Sequence, residues 1–425
     1  MEYKKKSNKR EELPEELYDA CVEVYIHIKD KEVDEKVIKL IKSYSDKDYL
    51  IAHYWLGIAL IEGIGVGINQ DLGADYILES AQGGLKEGMA KLGILYERGI
   101  GVDIDYRRAE YWYKKAAEAG DGTSMNNLGW LYEQGLVDAP DNDEAFKWYK
   151  LGAEENIPSA MNNLGFMYEY GLGCEKNDEE AIKWYKKAAD SGNSGAMNTL
   201  GRIYSKGIMV EKNEEEAFKY YKMGSEKGNP KAINTYAEYL RDGKFCDKDL
   251  KESFELFQKA SDMEVPEATY NLGIAYEKGL GTEKDISKAI ECYERAGNAN
   301  IYDAFLALAR IFNSNISIKN KSLSDYYTKL HSYYTGDGLS IEENANRLSI
   351  IQLSYVTLED TLREIKEIDS KEKLIDYMSK RVNLIDSSDP LNTQLLFSHY
   401  EAIRKINSMT LEEIIRLKKK IEKNN

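Results

Sequence analysis

Few residues in this sequence have the chemical types that catalyse reactions or bind metals. The four histidines belong to no HExxH zinc motif, and we expect ordinary helix-surface or core histidines; they are His27, His53, His331 and His399. The four cysteines lack the CxxC spacing of zinc and redox centres; they are Cys21, Cys174, Cys246 and Cys292. Neither a metal site nor a disulfide framework is therefore expected.

Two further motifs have simple structural interpretations. The run Gly63-Ile64-Gly65-Val66-Gly67 looks faintly like a dinucleotide-binding loop, but we expect it to follow a helix and not a strand. Acidic pairs such as Glu179-Glu180 begin predicted helices, where they complement the helix dipole. With no grouped nucleophile, base or metal ligands, we predict a non-enzymatic protein that uses no cofactor.

The charge of the chain restricts its partners. A formal net charge of −16 argues against general nucleic-acid binding, which needs a basic face. Basic residues do gather near both ends, around 4–10 and 416–423, where we expect solvated termini; a membrane-surface or RNA role is the alternative. No apolar run suggests a signal peptide or a membrane span, so we expect a cytoplasmic protein.

The elements that must position these residues repeat with a period of 36 residues, as from Leu92 to Leu128. Six units open on a helix with a Leu-Gly pair, and a glycine ends that helix seven residues after the leucine; two further units have weaker forms of the pair, Tyr236-Ala237 and Leu308-Ala309. The pairs are Leu56-Gly57, Leu92-Gly93, Leu128-Gly129, Leu164-Gly165, Leu200-Gly201 and Leu272-Gly273. We therefore predict a short first helix in every unit.

A second helix follows in each unit. Six residues after the terminating glycine stands an asparagine or aspartate suited to capping a helix; these are Asn69, Asp105, Asp141, Asn177, Asn213, Asp249 and Asp285. An alanine and an aromatic pair come next, as in Ala181 with Trp184-Tyr185. One such hairpin cannot bury its own apolar face, so neighbouring hairpins must stack.

These columns resemble the Sel1-like repeat family, which is related to tetratricopeptide repeats. The family pattern is nearly intact from Ala160 to Gly192, in Ala160, Leu164, Gly165, Tyr168, Gly171, Gly173, Asn177, Ala181, Trp184, Ala188, Ala189 and Gly192. The resemblance implies an all-α, right-handed α-solenoid and a scaffolding or adaptor role. The paired cysteines of some secreted members are missing here.

We predict three regions in the chain. Residues 1–46 form N-terminal capping helices, 47–335 form a solenoid of about eight units, and 336–425 form a C-terminal helical extension. In the first region, Leu17, Cys21, Val24 and Ile28 are expected on one helix face. The C-terminal helices are expected to cap the array, with a small bundle or an oligomerisation arm as alternatives.

A peptide or protein partner is the predicted ligand. By analogy with tetratricopeptide repeats, the position two residues before each Leu-Gly pair faces a concave groove, and here it holds Asn126, Asn162, Asn198 and Asn234. Amides can bond a peptide backbone whatever its sequence. The neighbouring groove candidates are two aromatic residues, two arginines and two glutamates: Trp130, Phe166, Arg202, Arg241, Glu133 and Glu169.

Three alternatives stay open at this point. The asparagines could form a structural polar stripe in which neighbouring amides bond one another or water. The chain could be a regulatory or inhibitory subunit that docks on an enzyme through its C-terminal helices. It could also be a structural protein that associates with itself through those helices.

Overall fold

The computed structural model describes residues 13–314 and isolated positions beyond them: 324, 327–328, 331–332, 335, 414–416 and 418. Over 13–314 every regular element is an α-helix, which confirms the all-α prediction. The first helices of the hairpins are α3 (Leu50–Glu62), α5 (Lys86–Arg98), α7 (Gly122–Glu133), α9 (Pro158–Tyr170), α11 (Ser194–Lys206), α13 (Pro230–Asp242), α15 (Pro266–Lys278) and α17 (Asp303–Ser314). The second helices are α4 (Gln70–Gln82), α6 (Tyr106–Glu118), α8 (Asn142–Glu154), α10 (Asp178–Asp190), α12 (Glu214–Glu226), α14 (Leu250–Asp262) and α16 (Ile286–Asn298).

Two helices precede the hairpins, α1 (Glu15–Ile26) and α2 (Glu35–Ser45). Leu17, Cys21 and Val24 are buried, as the predicted apolar face requires. Ile28 is not part of that face, because α1 ends at Ile26 and leaves the Ile28 side chain exposed. The pair packs against α3, since both α1 and α2 contact it.

The predicted helix boundaries follow from local chemistry. Each of the seven asparagine or aspartate residues predicted to start a second helix does so, and its side chain accepts a backbone N–H from the first turn. At the other boundary, the glycine that closes the first helix takes a positive φ, for example +67° at Gly171. Only glycine adopts that backbone conformation without a steric penalty.

The chain divides into two compact units, unit 1 up to Ala232 and unit 2 from Ile233 onward. Within unit 1, each first helix packs on its own second helix, and successive first helices also touch, as α5 with α7 and α7 with α9. The leucines of the Leu-Gly pairs fill the interior; Leu128, Leu164 and Leu200 are fully buried. In unit 2, α15 packs on its own second helix α16 in the same way, and α16 also contacts the next first helix, α17.

A second glycine column joins consecutive hairpins. Gly173 has a φ of +63°, and a Cβ placed there would overlap the carbonyl oxygen of Asn142, at the start of α8 in the preceding hairpin. Gly101 stands in the same relation to Gln70, and in unit 2 Gly281 to Leu250. Backbone thus meets backbone at these junctions, with no room for a side chain.

The predicted regional boundaries remain predictions. Most of the last part of the predicted solenoid, 315–335, and nearly all of the C-terminal helical extension predicted at 336–425 lie outside the described residues.

Candidate functional site

In five of the six Leu-Gly pairs the glycine makes room for a tyrosine ring from the second helix, whereas Gly57 faces Ile77. A Cβ added to Gly129 would lie 2.6 Å from the Tyr149 ring, and one added to Gly165 would lie 2.9 Å from the Tyr185 ring. The same pairing joins Gly93 with Tyr113, Gly201 with Tyr221 and, in unit 2, Gly273 with Tyr293. The glycine therefore sets how closely the two helices of a hairpin approach.

The hydroxyl group of that tyrosine donates a hydrogen bond back to the first helix. Tyr149 Oη lies 2.6 Å from Glu133 Oε2, and Tyr185 Oη lies 2.7 Å from Glu169 Oε2. Tyr113 bonds Glu97 and Tyr293 bonds Glu277 in the same way, each at 2.7 Å. Glu133 and Glu169, both predicted to line a groove, thus each use one carboxylate oxygen inside their own hairpin.

These buried tyrosines predict sensitivity to alkali. Burial, and then the hydrogen bond to a carboxylate, raise the pKa of Tyr113, Tyr149, Tyr185 and Tyr293 above the ordinary value. The folded state therefore holds these protons more tightly than the unfolded state does. Its stability is unaffected well below pH ~10 and falls as the pH rises above that value.

Parallel titrations followed by phenolate absorbance and by helical circular dichroism test this expectation. Exposed tyrosines should ionise first, and a last group should ionise only as helicity is lost. Ionisation of all 32 tyrosines in a chain that is still helical would contradict it.

Two arginines connect these glutamates to the next hairpin. Arg202 Nη2 lies 2.9 Å from Glu169 Oε1, and in unit 2 Arg310 Nη2 lies 2.7 Å from Glu277 Oε2. In both pairs the arginine stands 33 residues after the glutamate. The guanidinium of Arg202, predicted as a binding group, is therefore already paired within the chain.

Arg241 occupies the position at which four other hairpins carry the glutamate. Its Nε lies 2.7 Å from the Asp242 carboxylate, its Nη1 donates to Asn271 Oδ1 at 3.1 Å, and its guanidinium lies over the Phe257 ring. Phe257 replaces the usual tyrosine, so this hairpin has neither the glutamate nor the tyrosine hydroxyl that bonds it in other hairpins. Arg241 too is engaged by neighbours.

Two asparagines of the predicted column accept hydrogen bonds from the next hairpin. The donor in each case is the asparagine one position after the column in that hairpin. Asn163 Nδ2 donates to Asn126 Oδ1 at 3.1 Å, and in unit 2 Asn271 Nδ2 donates to Asn234 Oδ1 at 3.1 Å. Asn234 also donates to Glu238 Oε1 and is 6% exposed. The amides of Asn126 and Asn234 therefore have partners within the chain.

Asn162 differs from these two. Its Nδ2 donates to Asn163 Oδ1 at 3.3 Å, whereas its own Oδ1 is buried without a hydrogen-bond partner. The position corresponding to Asn163 in the next hairpin is Thr199, which has no amide to donate. Asn198, the third member of the predicted column, is half-buried.

We call the surface of unit 1 that helices α5, α7, α9 and α11 present the first-helix face. Three aromatic side chains are exposed on it. Trp130 and Phe166 hold equivalent positions in α7 and α9, and each is 38% exposed. Tyr170 is 54% exposed, with its ring centroid 4.7 Å from that of Phe166. Sequence reasoning missed Tyr170, although an aromatic residue there departs from Arg98, Gln134 and Lys206 at the same position.

A serine–histidine contact near the start of the array resembles part of a hydrolase site. Ser45 and His53 Nδ1 lie 2.7 Å apart, and the Glu79 carboxylate is 3.4 Å from the same nitrogen. Ser45 is only 2% exposed, so its hydroxyl cannot reach a substrate carbonyl. The contact satisfies a buried histidine and links α2, α3 and α4.

Other possible sites for chemistry give little. Within the part of the chain that the structure describes, no group of three or more histidine, cysteine or acidic residues could hold a metal ion. The same residues include no helix long and apolar enough to cross a membrane. Gly63 and Gly65 have positive φ and lie in the turn after α3, as expected from their phase in the repeat.

Of the helical hairpins that the structure describes, six are held together by a packed glycine and four by a glutamate–tyrosine hydrogen bond, and backbone contacts and side-chain amide hydrogen bonds join one hairpin to the next. Such tandem hairpins define a helical repeat protein. The family model for the Sel1 repeat matches seven consecutive segments: residues 50–85, 86–121, 122–157, 158–193, 194–229, 230–265 and 266–301. The chain belongs to the Sel1 repeat family, as its sequence predicted. Sel1 repeats generally mediate protein–protein interactions.

Solved structures show the same fold. One is c5321, a protective antigen present in uropathogenic Escherichia coli strains; it is 22% identical, with a TM-score of 0.60 over 92% of this chain and 94% of that one. Another is a Sel1 repeat protein from Oxalobacter formigenes, 24% identical, with a TM-score of 0.55 over 69% of this chain and 87% of that one. No curated protein matches the sequence.

Proposed function

We propose that this chain is a non-enzymatic scaffold that binds a peptide or protein partner along the first-helix face of unit 1. The observation that carries the proposal is the exposed aromatic group formed by Trp130, Phe166 and Tyr170. Large aromatic side chains on a protein surface are the residues that most often supply binding energy at interfaces.

The surroundings of these rings support a binding role. Asn126 and Asn162 lie one helical turn before Trp130 and Phe166, so their amides line the same face. Asn162 Oδ1 accepts no hydrogen bond within the chain but is buried, so a peptide N–H could reach it only after the amide turns outward. Peptide binding by the asparagine column remains a prediction.

The cytoplasm is the compartment that we propose for this scaffold. Cys21 and Cys292 are buried free thiols, and burial raises the pKa of the Cys21 thiol to about 12 and that of Cys292 to about 11. Thiols held in the protonated form are compatible with a reducing compartment.

The test is affinity capture of partners from a lysate of the source cells, with the full chain as bait. We expect a double variant, Trp130→Ala with Phe166→Ala, to retain at least about tenfold less of a specific partner than the wild type. Circular dichroism and thermal melting must show that the variant is folded.

The matched control is Tyr111→Ala with Leu151→Ala. These side chains are similarly exposed, at 54% and 37%, but they belong to the second helices α6 and α8. Retention of the partner by the control and its loss from the aromatic variant supports the proposal. Equal retention by all three baits refutes binding at this face.

A further inference from the structure

The chain itself shows what its recurring glutamate binds. Glu169 Oε2 accepts the Tyr185 hydroxyl, which leaves Oε1 for the Arg202 guanidinium at 2.9 Å. Glu277 repeats the arrangement independently in unit 2, with Tyr293 and Arg310. A carboxylate fixed by a buried tyrosine is thus a preformed acceptor for a guanidinium.

Two hairpins carry this acceptor without its arginine. The residue 33 positions after Glu133 is Phe166, and the residue 33 positions after Glu97 is Trp130. Glu133 and Glu97 are each bonded through Oε2 to their tyrosines. Among residues 13–314, Glu133 Oε1 takes part in no ion pair. Glu97 Oε1 takes part in one, with the exposed Arg98, whose Nε lies 3.8 Å away.

Aromatic rings therefore stand where the internal guanidinium would be. Trp130 and Phe166 are partly exposed, and the glutamates 33 residues before them, Glu97 and Glu133, are half-buried. Guanidinium groups bind carboxylates and also stack on aromatic faces, which ammonium groups do less well.

We propose that the first-helix face binds an arginine-bearing segment of a partner protein, with one arginine between Glu133 and Phe166 and another between Glu97 and Trp130. This proposal rests on the proposed function, because it names the partner chemistry of the same face. The net charge of −16 favours a basic partner over an acidic one.

Spacing adds a further requirement. Helices α5, α7 and α9 are in sequential contact, and packed helices lie about 8–10 Å apart. A peptide in the polyproline II conformation advances about 3.1 Å per residue and returns to the same face every third residue. Two arginines separated by two other residues would therefore reach consecutive sites.

The experiment is selection from a phage library of short random peptides, with the full chain as target. Enriched peptides should be rich in arginine, and the Arg-x-x-Arg spacing should be over-represented. A selected peptide is then synthesised with a fluorescent label, beside a version in which glutamine replaces each arginine, and binding is measured by fluorescence anisotropy.

Three variants separate the contributions. Glu133→Gln keeps an acceptor for Tyr149. It should lower the affinity for the arginine peptide by about tenfold and leave the affinity for the glutamine version unchanged. Glu144→Gln, on the second helix α8, is the matched control and should bind normally. Phe166→Arg would place an internal guanidinium at Glu133, as Arg202 does at Glu169, and should abolish binding in a chain at least as stable as the wild type.

The outcomes distinguish the two proposals. Peptides that need Trp130 and Phe166 but show no arginine preference would overturn this inference and leave the proposed function standing. Arginine peptides unaffected by Glu133→Gln and Phe166→Arg would overturn it as well. A selection that enriches no peptide contradicts the inference, and the lysate capture then decides the proposed function separately.

Discussion

Replacing Gly173 with alanine is expected to lower the free energy of unfolding by about 3 kcal/mol. The left-handed backbone at a φ of +63° accounts for about 1–2 kcal/mol of this loss. The remainder arises because the new methyl group would overlap the carbonyl oxygen of Asn142 and force two hairpins apart.

Gly192→Ala is the matched control for this change. Gly192 also has a positive φ, +88°, but a Cβ at that position would meet nothing within 4 Å. The control should therefore show the conformational penalty alone, about 1–2 kcal/mol. Urea denaturation of both variants measures the difference, and equal losses would show that the contact with Asn142 contributes nothing.

Replacing Glu169 with alanine is expected to cost about 3 kcal/mol. Glu169 is 8% exposed and bonded to both Tyr185 and Arg202. Its removal leaves the Tyr185 hydroxyl buried without an acceptor and the arginine without its carboxylate. The loss therefore exceeds that expected for a surface ion pair.

Two further variants define the origin of that loss. Glu169→Gln keeps an acceptor for Tyr185 and loses only the ion pair, so we expect a cost of about 1 kcal/mol. Glu175→Ala, in the exposed turn of the same hairpin, should change stability by less than about 0.5 kcal/mol. Thermal and urea unfolding measure all three, and similar values for Glu169→Ala and Glu175→Ala would refute the structural role of Glu169.

Much of the fold could be predicted because its determinants are local and recur in phase. A capping residue such as Asn177 and a terminating glycine such as Gly171 act within one helical turn, so the sequence alone places the boundaries of that helix. The period then places every later hairpin.

The candidate site was harder to predict because its contacts join helices that are distant in sequence. Glu133 and Glu169 were predicted as groove residues, but nothing in their own helices indicates that Tyr149 and Tyr185 would bond them. The sequence did contain a weak signal. Two hairpins lack the glutamate, with Ile61 and Arg241 at its position, and the same two hairpins lack the tyrosine, with Ile77 and Phe257 at its position. A third hairpin does not follow this correlation, because it keeps the tyrosine, Tyr221, but has Ser205 in place of the glutamate.

The pairing of Arg202 with Glu169 has a consequence for how such proteins diversify. Arg202 and Phe166 hold the same position in successive repeats, yet one residue fastens its repeat to the preceding one and the other is left open to solvent. A single substitution in this column can therefore replace a contact between repeats with an exposed side chain that can bind a partner, while the backbone stays the same. Arrays that differ only in this column would present different numbers and spacings of exposed aromatic positions on the same framework.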